Sequence, residues 1–278
     1  MTLIRLVVVA AILATLGGCA QNHFSIPREE VEKSIRVLGV VPLMTDRESD
    51  IRHPERDLLV GVIDEANRNN EKYLVERLRE TGTYFAVRLL TGDPVAIFSR
   101  LVERREKRDD AGLAYNKYFF RQEEVDRYLK EQGVDALMIV VVNGLTRREK
   151  LYAKNYLSYL ESDHTILTMT AAIVGGKGAV VWEYPNFRQK FPSLAPLIHL
   201  QYPAFEEAEA NATDEVGLKF RTVAGLRRLL VGKEGYSPAY RYIIDDMTSL
   251  QKRPVEWGTL FGSKGGEDRT KEGGAPPR

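Results

Sequence analysis

The sequence predicts a mixed α/β domain: a mixed β-sheet of about five to six strands, covered by helices in two or three layers. An antiparallel hairpin lies towards the C-terminal end and a helix follows it. Three observations predict this. Residues 134–142 are the most apolar run after residue 18, and the run is continuous rather than alternating, as a strand buried on both faces reads. In residues 55–80, Leu58, Leu59, Val62, Ile63, Ala66, Tyr73, Leu74 and Leu78 recur at three- and four-residue steps, which places them on one helix face. Gly175-Gly176-Lys177-Gly178 separates two β-rich runs, 165–174 and 179–184, and reads as a hairpin with a glycine-permitted turn.

The remaining elements follow in order. Residues 34–41 read as a buried first strand stopped at Pro42. The helix over 55–80 has a weak centre at Asn67–Asn70 and a natural stop at Gly82. Residues 83–90 read as a strand, and Asp93-Pro94 opens a helix carrying Val95, Ile97, Phe98, Leu101 and Val102. The run Glu103 to Asp110 mixes both charge signs and reads as a solvated helix end or loop. Residues 122–132 form a helix stopped by Gly133, and Asn143-Gly144 ends the central strand. Residues 151–160 suit an edge strand, or a helix. Residues 185–203 hold four prolines and form an irregular excursion. A helix is expected over about 205–230, a short one around Tyr240 to Met247, and a disordered tail from 251 to 278, where Gly, Pro and charge dominate.

The start of the chain supplies an address. Leu6 to Leu16 is an uncharged apolar core after Arg5, of signal-peptide length and too short to span a bilayer. It ends in Leu16-Gly17-Gly18-Cys19, which resembles the bacterial lipobox. That resemblance implies cleavage between Gly18 and Cys19 and lipid attachment at Cys19, the only cysteine in the chain. Several acyl chains, at about 0.8 kcal/mol per buried methylene, anchor a protein durably. Ala20 at the next position favours the periplasmic face of the outer membrane over the inner membrane, by resemblance to the sorting rule of enteric bacteria. The expected organisation is a signal peptide over 1–18, a tether over 19–33, a periplasmic domain over 34–250 and the tail over 251–278.

Composition narrows the function classes. Lys plus Arg is 40 and Asp plus Glu is 39, a formal net charge of +1. No global charge draws the chain to nucleic acid. The four histidines, His23, His53, His164 and His199, have no zinc-motif spacing. The glycine-rich turn at 175–178 fails as a phosphate loop, since Ala171 and Gly178 stand where that motif needs Gly and Ser or Thr. No Gly-x-Ser-x-Gly elbow occurs. Glu161, Asp163 and His164 cluster before a strand and read mainly as a polar turn. The sequence therefore points to no catalytic residue, metal or small-molecule cofactor. Aromatics are the better lead. Tyr115, Tyr118, Phe119 and Phe120 lie between two helices, and Phe187, Phe191, Tyr202 and Phe205 line the proline-rich excursion as the candidate partner surface.

Residues 35–42, the helix ending at Leu74–Leu78 with its following strand Tyr84–Val87, Gly133–Ile139 and the hairpin ending Gly178-Ala179-Val180-Val181-Trp182 follow one plan. Together they resemble the periplasmic lipoproteins related to the curli-export protein CsgG and the peptidoglycan-synthase activator LpoB. That family usually carries Asp-x-x-Thr-Gly before the hairpin turn; this chain has Gly175-Gly176-Lys177-Gly178. The resemblance implies a non-enzymatic domain that self-associates or binds envelope proteins. The expected function is a lipid-anchored periplasmic adaptor in cell-envelope biogenesis. Its alternatives are an oligomeric outer-membrane export component of the curli type and a hydrolase of envelope polymers.

Overall fold

The computed structural model describes residues 22–152, 159–192, 194–204, 217–233 and 235–252. Among them six helices and eleven strands are ordered α1 (Arg28–Ser34), β1 (Val37–Val40), β2 (Met44–Thr45), α2 (Arg56–Glu80), β3 (Ala86–Leu89), α3 (Pro94–Leu101), β4 (Val102–Asp110), β5 (Leu113–Phe120), α4 (Gln122–Gln132), β6 (Ala136–Tyr152), β7 (Tyr159–Gly175), β8 (Val180–Tyr184), β9 (Ile198–His199), β10 (Gln201–Ala204), β11 (Gly217–Phe220), α5 (Val223–Leu230) and α6 (Pro238–Ser249). The main sheet runs β3-β1-β6-β7-β8, with β2 added to β6 and β9 to β7. β1 is parallel to β3 and β6, whereas β6, β7 and β8 are antiparallel neighbours. The sheet is mixed, as the sequence predicts.

The continuous apolar run becomes β6 because the sheet is covered on both sides. Ala136, Met138, Val140 and Val142 enter one core, with α2, α5, α6 and Trp182. Leu137, Ile139 and Val141 enter the other, with α3, α4 and Tyr118. Alternate side chains of a strand point to opposite faces, so a strand between two cores must be apolar at every position.

The weak centre of α2 does not break it. Asn67 and Asn70 are buried and bonded: Asn67 Nδ2 donates to Thr45 Oγ1 at 3.0 Å and its Oδ1 accepts from Tyr240 at 2.8 Å. Asn70 Nδ2 donates to the Ala66 carbonyl at 2.8 Å. Satisfied in this way, polar residues sit in a helix interface without the cost of a stranded donor.

Three expectations are corrected. The charged run 103–110 is not a helix end or loop but β4, the outer strand of a hairpin with β5. Strands exposed on their outer side carry charge readily, because charge blocks pairing with other chains. Ala111 (φ 54°) and Gly112 (φ 73°) supply its two-residue turn, of the kind that takes positive φ at both positions. Two of the β5 aromatics are buried, Tyr115 in one core and Tyr118 in the other, whereas Phe119 and Phe120 are partly exposed. Asn143-Gly144 does not end the central strand, which continues to Tyr152 paired with β7 in unbroken register. The expected helix over 205–230 is, in its described part, strand β11 and then α5, capped by the Thr222 hydroxyl accepting from the Gly225 N–H. Residues 205–216 lie outside the described residues. Residues 22–33 are the described part of the expected tether. Phe24 and Val31 are in the core and α1 carries residues 28–34. At the other end Gln251 is fully buried, accepting from Tyr84 at 2.8 Å, so the packed domain reaches past 250. Residues 253–278 lie outside the described residues.

Candidate functional site: a charged cleft between two hairpin arms

Beyond Leu145, β6 and β7 leave the two-sided core and continue as a paired ribbon, from Thr146↔Thr165 to Tyr152↔Tyr159. The β4–β5 hairpin lies beside it, and Lys107 Nζ donates to the Thr146 carbonyl at 3.0 Å across the gap. Between the arms and the segment 192–199 is an open cleft of about 1240 Å³. Its lining is charged: Arg52, Lys107, Arg108, Arg147, Arg148 and Lys150 against Asp50, Asp109, Glu149 and Asp163, with His199 at the side.

One buried carboxylate helps to fix the base of the hairpin to the body, beside Asn116, whose Nδ2 donates to Asn143 Oδ1 at 2.7 Å and to the Gly144 carbonyl at 3.1 Å. Asp46, 2% exposed, accepts from Arg105 at 2.5 Å and from the Tyr118 hydroxyl at 2.8 Å. Burial and the Asp46 charge push the Tyr118 hydroxyl pKa well up, so it stays protonated as a donor. The ribbon is fixed by Glu149, which accepts from Arg147 and from His199 Nε2 at 2.6 Å. Arg147 also donates to the Leu194 carbonyl at 3.2 Å, holding the proline-rich segment against the ribbon. Burial alone would raise the Glu149 pKa; the hydrogen bonds and positive charges of His199 and Arg147 win and hold it at about 2.

Among the described residues these groups do not complete a hydrolytic triad. Ser162 Oγ lies 2.9 Å from His164 Nε2, the first two members of a hydrolytic triad. The third member is missing: His164 Nδ1 is buried with no partner among the described residues. The carboxylate that could orient it, Glu149, is bonded to His199 instead, while the two imidazoles meet edge-on at 5.9 Å. A triad needs the acid on the second imidazole nitrogen, which sets tautomer and orientation. Glu149, held ionised, does not serve as a general acid. No group of three or more His, Cys, Asp or Glu side chains able to hold a metal occurs among the described residues.

The histidines do give a pH dependence. Burial lowers the His164 pKa below the usual 6.5; Glu149 opposes this and His199 adds to it. His23 is also lowered, chiefly by burial. In the window below about 6.5 the unfolded chain binds protons that the folded chain refuses, so stability falls as pH falls. Thermal melts between about pH 7.5 and about 5.5 should show a falling midpoint, and His164→Gln should flatten that slope.

Of the four aromatics expected to form a partner surface, the three that are described have different surroundings. Phe187 is half-buried, packed on Tyr115 at 5.2 Å between ring centres. Phe191 is 79% exposed. Tyr202 lies on β10, with Arg221 over its ring, beside a separate groove that includes Phe220 and Leu229. Phe205, like Gly18 and Cys19, lies outside the described residues. The arms were missed in the sequence because charge on both faces hides strand periodicity; the one local signal was Ala111-Gly112 between a charged and an aromatic run.

No protein-family model matches the chain, and neither does any curated protein. Among solved structures it is similar to a crystal structure described as a neuraminyllactose-binding hemagglutinin homolog from Helicobacter pylori, at 8% identity and a TM-score of 0.34, covering 78% of this chain and 85% of that one. No helix among the described residues is long and apolar enough to cross a membrane.

Proposed function

We propose that this chain is a lipid-anchored periplasmic adaptor of the cell envelope that works by binding another protein between its two arms. The supporting observation is the cleft. The β6–β7 ribbon, which continues from the covered sheet, and the separate β4–β5 hairpin present interleaved charges to an open groove of about 1240 Å³. Interleaved charge of both signs suits register and partner selection rather than bulk affinity. The outer membrane, reached through lipid on Cys19, is the proposed location.

Paired hairpins also raise the second reading, an oligomeric export component. A lipid-facing strand alternates apolar and polar residues so that one face is apolar. On β4 the alternate sets Glu103, Arg105, Lys107, Asp109 and Arg104, Glu106, Arg108, Asp110 are both charged, and on outer β6 Arg147 and Glu149 alternate with Arg148 and Lys150. The adaptor reading fits these arms better.

Two separable results test the proposal. Cys19→Ser should shift the protein from the membrane to the soluble fraction with its melting curve unchanged. Arg148→Glu, at a side chain 67% exposed, should leave the fold intact, within about 0.5 kcal/mol, and abolish partner capture by the acylated protein. Membrane retention of Cys19→Ser contradicts the anchor, and undiminished capture contradicts the cleft.

A further inference from the structure

The face of the domain that meets the membrane can be read from where the described chain begins. Asn22 to Ile26 is laid along the free edge of β8. The Ser25 N–H donates to the Val181 carbonyl at 2.8 Å, its hydroxyl to the Val180 carbonyl at 3.0 Å, and Asn186 Nδ2 donates to the His23 carbonyl at 2.9 Å. β8 runs from Val180 to Tyr184, with Asn186 just beyond its end; His23 is held by the Asn186 side chain, and Ser25 by the carbonyls of Val180 and Val181. The described chain therefore starts on the Asn186 side and runs back along the strand. Only three residue steps separate Asn22 from Cys19, a span of at most about 11 Å.

What lies within reach of that point is the turn after Asn186. Asn186 Oδ1 accepts from the Arg188 N–H at 3.0 Å, and Gln189 Nε2 donates to the Phe191 carbonyl at 3.1 Å, which holds the turn in shape. Arg188, Lys190 and Phe191 are all exposed on it, and the Lys190 ammonium lies 5.6 Å from the centre of the Phe191 ring. An aromatic ring 79% in water gains by leaving it. Cations beside the ring gain from an anionic headgroup layer without burial of their charge, since a long aliphatic stem lets the charged end stay at the surface.

We propose that Arg188, Lys190 and Phe191 form a membrane-resting surface, with Phe191 seated at the boundary between headgroups and acyl chains. This rests on acylation of Cys19: with lipid there, the short connection leaves the domain no room to stand away from the bilayer, and Phe191, on the turn that follows Asn186, is a largely exposed aromatic ring. The surface fixes orientation as well as distance. Pro192, next to Phe191, lines the cleft, so the arms open close to the membrane plane and a partner must approach along it.

The test uses acylated full-length protein in vesicles of phosphatidylethanolamine and phosphatidylglycerol, with and without brominated acyl chains. Phe191→Trp adds a reporter at the proposed surface. Phe85→Trp adds one at a site 81% exposed, just before β3 at the opposite edge of the sheet. Fluorescence is read as the increment over the parent protein. The increment from F191W should lose most of its intensity in brominated vesicles and shift to the blue, while that from F85W should do neither. Protein that floats with the vesicles but shows F191W as unquenched as F85W overturns this proposal and leaves the anchor standing. Protein that fails to float with the vesicles overturns the anchor and the proposal together.

Discussion

Gly144→Ala is expected to cost about 3 kcal/mol or more, at the upper end for overpacking, and to shift the urea midpoint with it. A Cβ at position 144 would lie 2.4 Å from the Asp50 carbonyl carbon and 2.4 Å from the Ile51 nitrogen. Both are backbone atoms, so no side-chain rotation relieves the contact. The loop 46–51 lies directly on the strand here, and the Gly144 N–H donates to Ser49 Oγ at 2.8 Å. Forcing that loop away also disturbs Asp46, which it carries, and with it the base of the β4–β5 arm. Ser49→Ala separates the two effects: it removes the hydrogen bond without the clash and should cost about 1 kcal/mol.

Asp46→Ala is expected to be nearly as severe, about 3 kcal/mol. The carboxylate is buried and is the shared acceptor of Arg105 and the Tyr118 hydroxyl. Removing it leaves the buried phenol without its acceptor and the guanidinium with the Glu48 carbonyl and no counter-charge, and an unpaired group costs more than its hydrogen bond was worth. Tyr118→Phe, which removes only one donor, should cost about 1 kcal/mol. Hydrogen exchange is the sharper measurement. In Asp46→Ala the amides of β4 and β5 should exchange well before those of β6, because the arm loses one of its buried fastenings while the two-sided core loses none. Since Gly144 and Asp46 act through one loop, the double variant should fall short of the summed cost.

The parts of the fold that were legible in the sequence are those where local pattern and burial agree. The run 134–142 is apolar throughout because two cores meet at β6, and the spacing in 55–80 is the buried face of α2. Legibility failed where a residue's role is set by something distant in sequence. Gly144 looks like a turn residue; its real constraint is the approach of Asp50 and Ile51, almost a hundred positions away. Glycine inside a strand marks such close approach as readily as it marks a stop. Asn67 and Asn70 look like helix breakers until Thr45 and Tyr240 are seen to satisfy Asn67. The charged β4 has no hydrophobic period because past Val102 its inward contact is polar, Arg105 on Asp46, and the buried aromatics Tyr115 and Tyr118 come from β5.

The candidate site was still less visible. Glu149 and His199 are fifty residues apart and both polar, and nothing local pairs them. Glu161, Asp163 and His164 did mark the right stretch, but as the wall of a cleft: Glu161 is bonded to Arg148, Asp163 lines the groove and His164 is buried behind it. The aromatics of the proline-rich segment were visible as aromatics, yet only packing distinguishes Phe187, set on Tyr115, from Phe191, left in water.

Photo-crosslinking in intact cells tests the central claim most directly. A crosslinkable residue replaces Asp109 on the cleft wall, and in a second protein it replaces Glu76 on the exposed side of α2. The adaptor account predicts a discrete crosslink to another envelope protein from position 109, absent from position 76 and lost when Arg148→Glu is added. Crosslinks from position 109 only to further copies of this chain, or a crosslink that survives Arg148→Glu, would contradict it.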